Sequence, residues 1–74
     1  MKIHVRMFGH FIERFGFGTK EMIVKSPFTA DDLISRRKMK NVPHIVTRNG
    51  VNVLGSEKIK DGDHVMIAPV FSGG

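Results

Sequence analysis

The sequence predicts an α+β fold in which one mixed sheet of about five strands packs on one main helix. Two observations lead to this prediction. Short segments of alternating or β-branched residues are separated by turn residues, and one capped helical segment lies among them. The resulting order is strand, strand, helix and then three strands, which differs from the regular alternation of a doubly wound fold. We expect the first and last strands to be neighbours in the sheet.

The first strand is predicted from a strict alternation of polar and apolar residues over positions 2–7. Because successive side chains of a strand point to opposite faces, Ile3, Val5 and Met7 lie on one face. We expect that face to be part of the core. Gly9 then ends the strand.

A short helical turn and a second strand are predicted next. Phe11, Ile12 and Phe15 have the spacing of a turn that folds back towards the sheet, and glycines follow it. Residues 19–25 contain three apolar residues between lysines and are rich enough in β-branched residues for a strand. With the first strand, this segment would form a hairpin.

The main helix is predicted to begin after Thr29. A threonine at this position can cap the first turn, and Asp32 lies three residues further on as its capping partner. Ala30, Leu33 and Ile34 then form one apolar stripe. This stripe is the face that we expect to pack against the sheet.

Basic residues crowd the predicted end of this helix, which we expect near Asn41. Positive charge at a helix C-terminus interacts favourably with the helix dipole, so these residues are explained without a nucleic-acid partner. An RNA-contacting patch is the less favoured alternative, because the chain has no tyrosine or tryptophan on which bases could stack. The cluster consists of Arg36, Arg37, Lys38 and Lys40.

Two further turns divide the second half of the chain. Asn49-Gly50 lies between two β-rich segments and is the strongest short signal for a hairpin, because a type I′ turn needs positive φ at both positions. Residues 61–63 form a second turn, and the last strand follows it to about Val70. Residues 72–74 then form a bare tail.

Length and composition restrict the class of protein. We expect one domain over residues 1–74 with a flexible tail from about residue 71, because chain ends make few contacts. A domain of this size buries only roughly 60% of its unfolded surface, which weighs against a deep catalytic cleft and an ordinary enzyme. The absence of cysteine excludes disulfides, thiolate metal sites and thiol nucleophiles. The net charge of +5 permits acidic partners without demonstrating them.

Cellular location is predicted from the absence of targeting signals. The sequence does not open with a charged and then apolar leader, and its longest apolar run, residues 65–71, is interrupted by Pro69. That run is also far too short to cross a bilayer. We therefore expect a cytoplasmic protein that does not associate with a membrane.

The end of the chain resembles the sulfur-carrier branch of the ubiquitin-like proteins. The matching residues are Lys60-Asp61-Gly62-Asp63, the strand end Ala68-Pro69-Val70-Phe71 and the terminal Gly73-Gly74. That branch includes the small subunit of molybdopterin synthase, the sulfur carrier of thiamine biosynthesis and related archaeal modifiers. The resemblance extends weakly over the whole chain and implies a β-grasp fold.

The resemblance also implies a function for the tail. In that family an E1-like enzyme uses ATP to adenylate the C-terminal glycine carboxylate, here Gly74, which is then converted to a sulfur-donating thiocarboxylate. Phe71, Ser72 and Gly73 would form the rest of the tail. The implied partners are the E1-like enzyme and a sulfur-accepting synthase or large subunit, and the chain itself would be non-catalytic and hold no cofactor. The alternative is a modifier that is joined to lysines of target proteins through Gly74.

The recipient of the sulfur is open between several pathways. Val70 replaces the second proline of the molybdopterin-type tail, although the rest of the tail is similar to that subunit. The Asn49-Gly50 hairpin is more similar to the thiamine carrier. The recipient is therefore expected in molybdopterin synthesis, thiamine synthesis or tRNA thiolation.

A docking surface is predicted on the face of the sheet opposite the core. If Ile3 and its alternates face inward, Phe8 shares the outer face with His4 and Arg6, beside Met66 and Ala68 of the last strand. An exposed apolar patch of this kind often marks an interaction site. The alternative is that Phe8 turns inward to meet the helical turn that follows it.

No metal site is predicted from the histidines. His4, His10, His44 and His64 fall on different elements without a paired ligand spacing, and no cysteine accompanies them. We expect solvated or partly buried histidines instead.

Overall fold

The computed structural model describes residues 1–36 and 42–70 and contains five strands and two helices within those ranges. None of the helices in this part of the chain is long and apolar enough to span a membrane. In chain order the elements are β1 (Lys2–Met7), α1 (Phe11–Phe15), β2 (Thr19–Ile23), α2 (Ala30–Arg36), β3 (His44–Arg48), β4 (Val51–Val53) and β5 (His64–Pro69).

All five strands belong to one mixed sheet with the order β2-β1-β5-β3-β4. The central pair β1 and β5 is parallel, and the other three pairs are antiparallel. The predicted α+β class and the predicted pairing of the first and last strands are therefore confirmed. Because the chain enters and leaves the sheet on its two central strands, side chains far apart in sequence become neighbours.

The core lies between one face of the sheet and the two helices. Ile3, Val5 and Met7 alternate inward from β1 as predicted, and all three are buried. Both helices contribute, since Phe11 and Phe15 of α1 are also buried. The remaining buried apolar residues are Val24, Phe28, Ala30, Leu33, Ile34, Val46, Ile59, Val65 and Ile67.

Helix α2 begins with the predicted capping box. The Thr29 amide donates to Asp32 Oδ2 at 2.8 Å, and the Asp32 amide donates to Thr29 Oγ1 at 3.2 Å. These two bonds satisfy amides at the first turn, which have no partner within the helix. The predicted end near Asn41 and the basic residues Arg37, Lys38 and Lys40 lie outside the described residues.

Strand β2 is shorter than the predicted segment 19–25 and ends at Ile23. Its phase, which the sequence left ambiguous, follows from the pairing with β1. Met22 lies opposite core-facing Ile3 and is half-buried, whereas Ile23 lies opposite Lys2 and is 79% exposed.

The hairpin between β3 and β4 has the predicted turn. Asn49 has φ of 52° and Gly50 has φ of 85°, as a type I′ turn requires. The strands on either side pair in register from Arg48 and Val51 onward. This hairpin lies beside the start of β5, next to the buried carboxylate of Asp63.

Candidate functional site

The predicted tail residues Phe71, Ser72, Gly73 and Gly74 lie outside the described residues. The last described residue, Val70, follows β5 and donates its amide to the Pro43 carbonyl at 3.1 Å. The chain is thus held against the sheet up to Val70, next to the start of β3. Any function of the tail begins from this anchored point.

The structure brings the other three predicted site residues together on the outer face of the sheet. The parallel register pairs Arg6 with Met66 and Met7 with Ile67, so Phe8 lies beside Ala68 at the end of β1. Ile45 of β3 pairs with Ala68 and is 44% exposed. We call Phe8, Ile45, Met66 and Ala68 the docking patch, although its role in docking stays a prediction.

Phe8 itself is half-buried and is not one of the buried core residues. The Arg6 guanidinium carbon lies 4.8 Å from the centroid of its ring, within the range of a cation–π contact. This position favours the outer face over the alternative in which Phe8 packs against the helical turn.

A pair of stacked histidines lies next to the docking patch. The register pairs His4 of β1 with His64 of β5, and their rings stack with centroids 4.5 Å apart and an interplanar angle of 10°. The sequence prediction correctly placed the histidines on different elements but missed this contact. No local signal in the sequence indicates this contact, because it depends on the register of two strands that are distant in the chain.

Glu21 of β2 lies opposite His4, and its carboxylate is close to two basic side chains of β1. Its carboxylate is 3.1 Å from Lys2 Nζ and 3.6 Å from His4 Nδ1. The hydrogen bond and charge of Lys2 lower the pKa of Glu21, and His4 adds a smaller effect in the same direction. Within residues 1–36 and 42–70, no three histidine or carboxylate side chains are arranged to hold a metal ion.

Asp63 belongs to the motif at residues 60–63 and is only 6% exposed. Its carboxylate connects the 60–63 turn and the β3–β4 hairpin to the start of β5. Asp63 Oδ2 accepts from Arg48 Nε at 2.6 Å and from the Lys60 amide at 2.7 Å, and Oδ1 accepts from Asn49 Nδ2 at 3.0 Å. Asp61 accepts from the Lys2 amide at 2.7 Å. The motif therefore clamps the β3–β4 hairpin and β1 to the start of β5.

These bonds also determine the ionisation of Asp63. Burial raises the pKa of its carboxyl, but the Lys60 amide and the side chains of Asn49 and Arg48 outweigh that effect and lower the pKa below its ordinary value of 3.8. Asn49 extends the clamp, because its Oδ1 accepts from the His64 amide and its own amide donates to the His64 carbonyl. The backbone of His64 is thereby fixed.

The order of strands, the parallel central pair and the helix across one face are those of the β-grasp fold of ubiquitin-like proteins. The whole chain superposes on all of SAMP1, a small archaeal modifier protein from Haloferax volcanii, with a TM-score of 0.75 and 22% identity. A proposed subunit 1 of molybdopterin converting factor from Pyrococcus furiosus matches with a TM-score of 0.73 and 24% identity, over 93% of this chain and 97% of that one.

A third similar structure is a complex of subunits 1 and 2 of the molybdopterin-converting factor from Helicobacter pylori. A chain of that complex matches over the full length of both chains, with a TM-score of 0.63 and 18% identity. No protein-family model matches the sequence, and no curated protein matches it either. At these identities the likeness shows the β-grasp fold alone and does not show the function.

Proposed function

We propose that the chain is a cytoplasmic sulfur carrier whose Gly74 carboxylate is adenylated and then converted to a thiocarboxylate. The observation that carries this proposal is the Gly73-Gly74 end, which closely follows the last strand of a ubiquitin-like β-grasp fold. Supporting it, two similar structures bear the name of a molybdopterin converting factor.

The chemistry that this role needs from the chain is small. The Gly74 carboxylate attacks the α-phosphate of ATP bound by an E1-like enzyme and releases pyrophosphate. Hydrosulfide from a sulfide source then attacks the acyl carbon and displaces AMP, which leaves the thiocarboxylate and releases a proton. Glycine suits the tail because it has no Cβ to clash with a narrow channel and adopts φ values closed to other residues. The carrier supplies a carboxylate and a surface, and the partner supplies the catalytic groups and the ATP.

Geometry limits where the partner can place its reaction centre. Four extended residues span at most about 14 Å, so Gly74 can reach no further than about that distance from Val70. Ala68 of the docking patch lies two positions before Val70 on the same strand end. A partner that covers the docking patch is thus close enough to receive the tail, which supports a shared role for both.

The proposal is tested by intact mass measurement of the purified chain. After incubation with a candidate E1-like enzyme, ATP and a sulfide source, the mass should rise by about 16 Da, because sulfur replaces one oxygen. A variant without Gly73 and Gly74 is the control and should show no rise while keeping its melting temperature, since the last residues of a chain usually make few contacts. No mass change with any E1-like enzyme of the same genome would contradict the proposal.

A second candidate function is conjugation to other proteins, and the likeness to SAMP1, a modifier protein, favours it. The adenylated Gly74 would then be attacked by a lysine amine, forming an isopeptide bond and releasing AMP. Digests of cell protein should contain lysine peptides that carry a remnant of this tail. Their absence, alongside a positive mass shift, would leave the sulfur carrier as the function.

The sulfur of the thiocarboxylate would go to molybdopterin, to thiamine or to tRNA.

A further inference from the structure

The outer face of the sheet has a polar half beside the docking patch. It is formed by the histidine pair, His4 and His64, together with Arg6. These side chains line a shallow concavity of about 400 Å³ whose other walls include Thr19, Thr47 and Met66. Because Met66 belongs to both, the concavity and the docking patch form one continuous surface.

The positive charge in this half is only partly balanced. Glu21 is shared between Lys2 and His4. Arg6 lies over the ring of Phe8 and has no carboxylate partner within residues 1–36 and 42–70. His64 is exposed, and its ring makes no hydrogen bond to the residues that the structure describes. Arg6 and His64 thus both line the concavity without an ion pair to the described residues.

We propose that this concavity binds a carboxylate side chain of the protein that covers the docking patch, held by Arg6 and His64. The identity of that protein rests on the proposed function, whereas the acidic chemistry rests on the charges of this face. Arginine matches a carboxylate with two parallel hydrogen bonds, and a protonated histidine adds a third donor. The partner would place an aspartate or glutamate next to the apolar residues that contact Phe8 and Met66.

An RNA strand fits this surface less well than an acidic protein segment. Phosphate backbones are bound by tracks of several lysines and arginines. Here a single unpaired guanidinium adjoins the apolar docking patch, and Glu21 lies at the edge of the same face. An apolar patch bordered by one arginine is typical of a protein interface.

The carboxylates nearest to the histidine pair do not close the concavity. The charged groups around the pair are Lys2 and Arg6 of β1 and Glu21 of β2, and β3 contributes only neutral Thr47. Asp63, next to His64 in sequence, is buried and bonded elsewhere. An incoming carboxylate would therefore meet more positive than negative charge on this face.

The proposal is tested by NMR on the ¹⁵N-labelled chain with two capped peptides, acetyl-Leu-Glu-Leu-Glu-amide and its glutamine counterpart. The glutamate peptide should shift the amide signals of Arg6, His64 and Met66, whereas the glutamine peptide should leave them unchanged. Equal shifts with both peptides, or shifts elsewhere, would overturn the proposal. A single-stranded RNA that competes for the same signals at lower concentration would overturn it in favour of nucleic acid.

Variants then test the groups that hold the carboxylate. Arg6→Gln and His64→Gln should each weaken the affinity for the E1-like enzyme. The loss should be at least about tenfold for Arg6, because both of its hydrogen bonds to the carboxylate are charge-assisted. Lys20→Gln removes the same charge as Arg6→Gln but on the other side of the sheet, near Phe17, and should leave the affinity unchanged. An equal loss of affinity in all three variants would show that the effect comes from net charge alone and would refute the site.

The two proposals fail in different ways. If the chain is not a sulfur carrier, the E1-like enzyme will produce no mass shift, yet the glutamate peptide should still bind at Arg6 and His64. If the carboxylate site is wrong, the mass shift should appear normally and Arg6→Gln should load as fast as the unchanged chain.

Discussion

Replacing Asp63 removes the acceptor that connects the 60–63 turn and the β3–β4 hairpin to the start of β5. In Asp63→Ala, the Lys60 amide, Asn49 Nδ2 and Arg48 Nε each lose a partner at 2.6–3.0 Å. A buried donor left unsatisfied costs about 1–3 kcal/mol. Because the Arg48 side chain is 24% exposed and Asn49 and Lys60 are exposed residues, all three donors can partly regain water. We therefore expect a total loss of about 3 kcal/mol, which is the lower end of this range for three donors.

The isosteric variant Asp63→Asn should also destabilise the protein. An amide has one oxygen, so its NH₂ group must face either Asn49 Nδ2 or the Arg48 and Lys60 donors. We expect about 2 kcal/mol for this variant. A domain of this length is stable by about 4–11 kcal/mol, so either loss is a large fraction of the total.

Urea unfolding followed by circular dichroism measures these losses, since the chain has no tryptophan or tyrosine for fluorescence. Glu57→Gln is the matched control: it removes the same charge from an exposed side chain that has no hydrogen bond or ion pair to the described residues. An unfolding midpoint for Asp63→Asn equal to that of the control would refute the role given to this carboxylate.

The acid range provides a second check on Asp63. Its pKa is lower in the folded protein than the ordinary 3.8, so the unfolded chain binds the proton more readily. The stabilisation from this group is therefore complete well above 3.8 and is lost as the pH falls through the folded value. The difference in the free energy of unfolding between the unchanged protein and Asp63→Asn should therefore shrink as the pH falls from above 3.8 through the lower pKa of the folded state. A constant difference down to acid unfolding would contradict this reasoning.

Three smaller changes test other parts of the structure. Thr29→Ala removes one bond of the capping box with Asp32 and should cost about 1 kcal/mol in the free energy of unfolding, whereas Thr29→Ser should restore it. Gly50→Ala places a Cβ at φ of 85° and should cost about 1 kcal/mol by strain alone, because among residues 1–36 and 42–70 no atom beyond its two chain neighbours lies within 4 Å of that Cβ. Phe8→Asp should weaken partner affinity by about 2 kcal/mol or more if Phe8 is a central anchor. A much lower melting temperature with normal binding would instead make Phe8 a structural residue.

Local features of the sequence were sufficient to predict most elements. The alternation over residues 2–7 places Ile3, Val5 and Met7 inward whatever the rest of the chain does, because the side-chain period of a strand is two. The Thr29 cap and the Asn49-Gly50 turn are equally local, since each depends on bonds or φ values within a few residues. The Gly73-Gly74 tail is also identified by sequence alone.

The contacts that shape the candidate site depend on pairing between distant strands. Nothing near His4 indicates that its ring stacks on His64, and nothing near Arg48 indicates that its charge meets buried Asp63. A shift of one residue in the β1–β5 register would move every alternate side chain to the other face and separate both histidines. The register is determined by burial of the apolar face as a whole. The sequence therefore specifies the strands and the tail and predicts that Phe8, Arg6 and Met66 share the outer face. Only the tertiary structure decides that His64 stacks on His4 within that face, because this contact depends on the register of two distant strands.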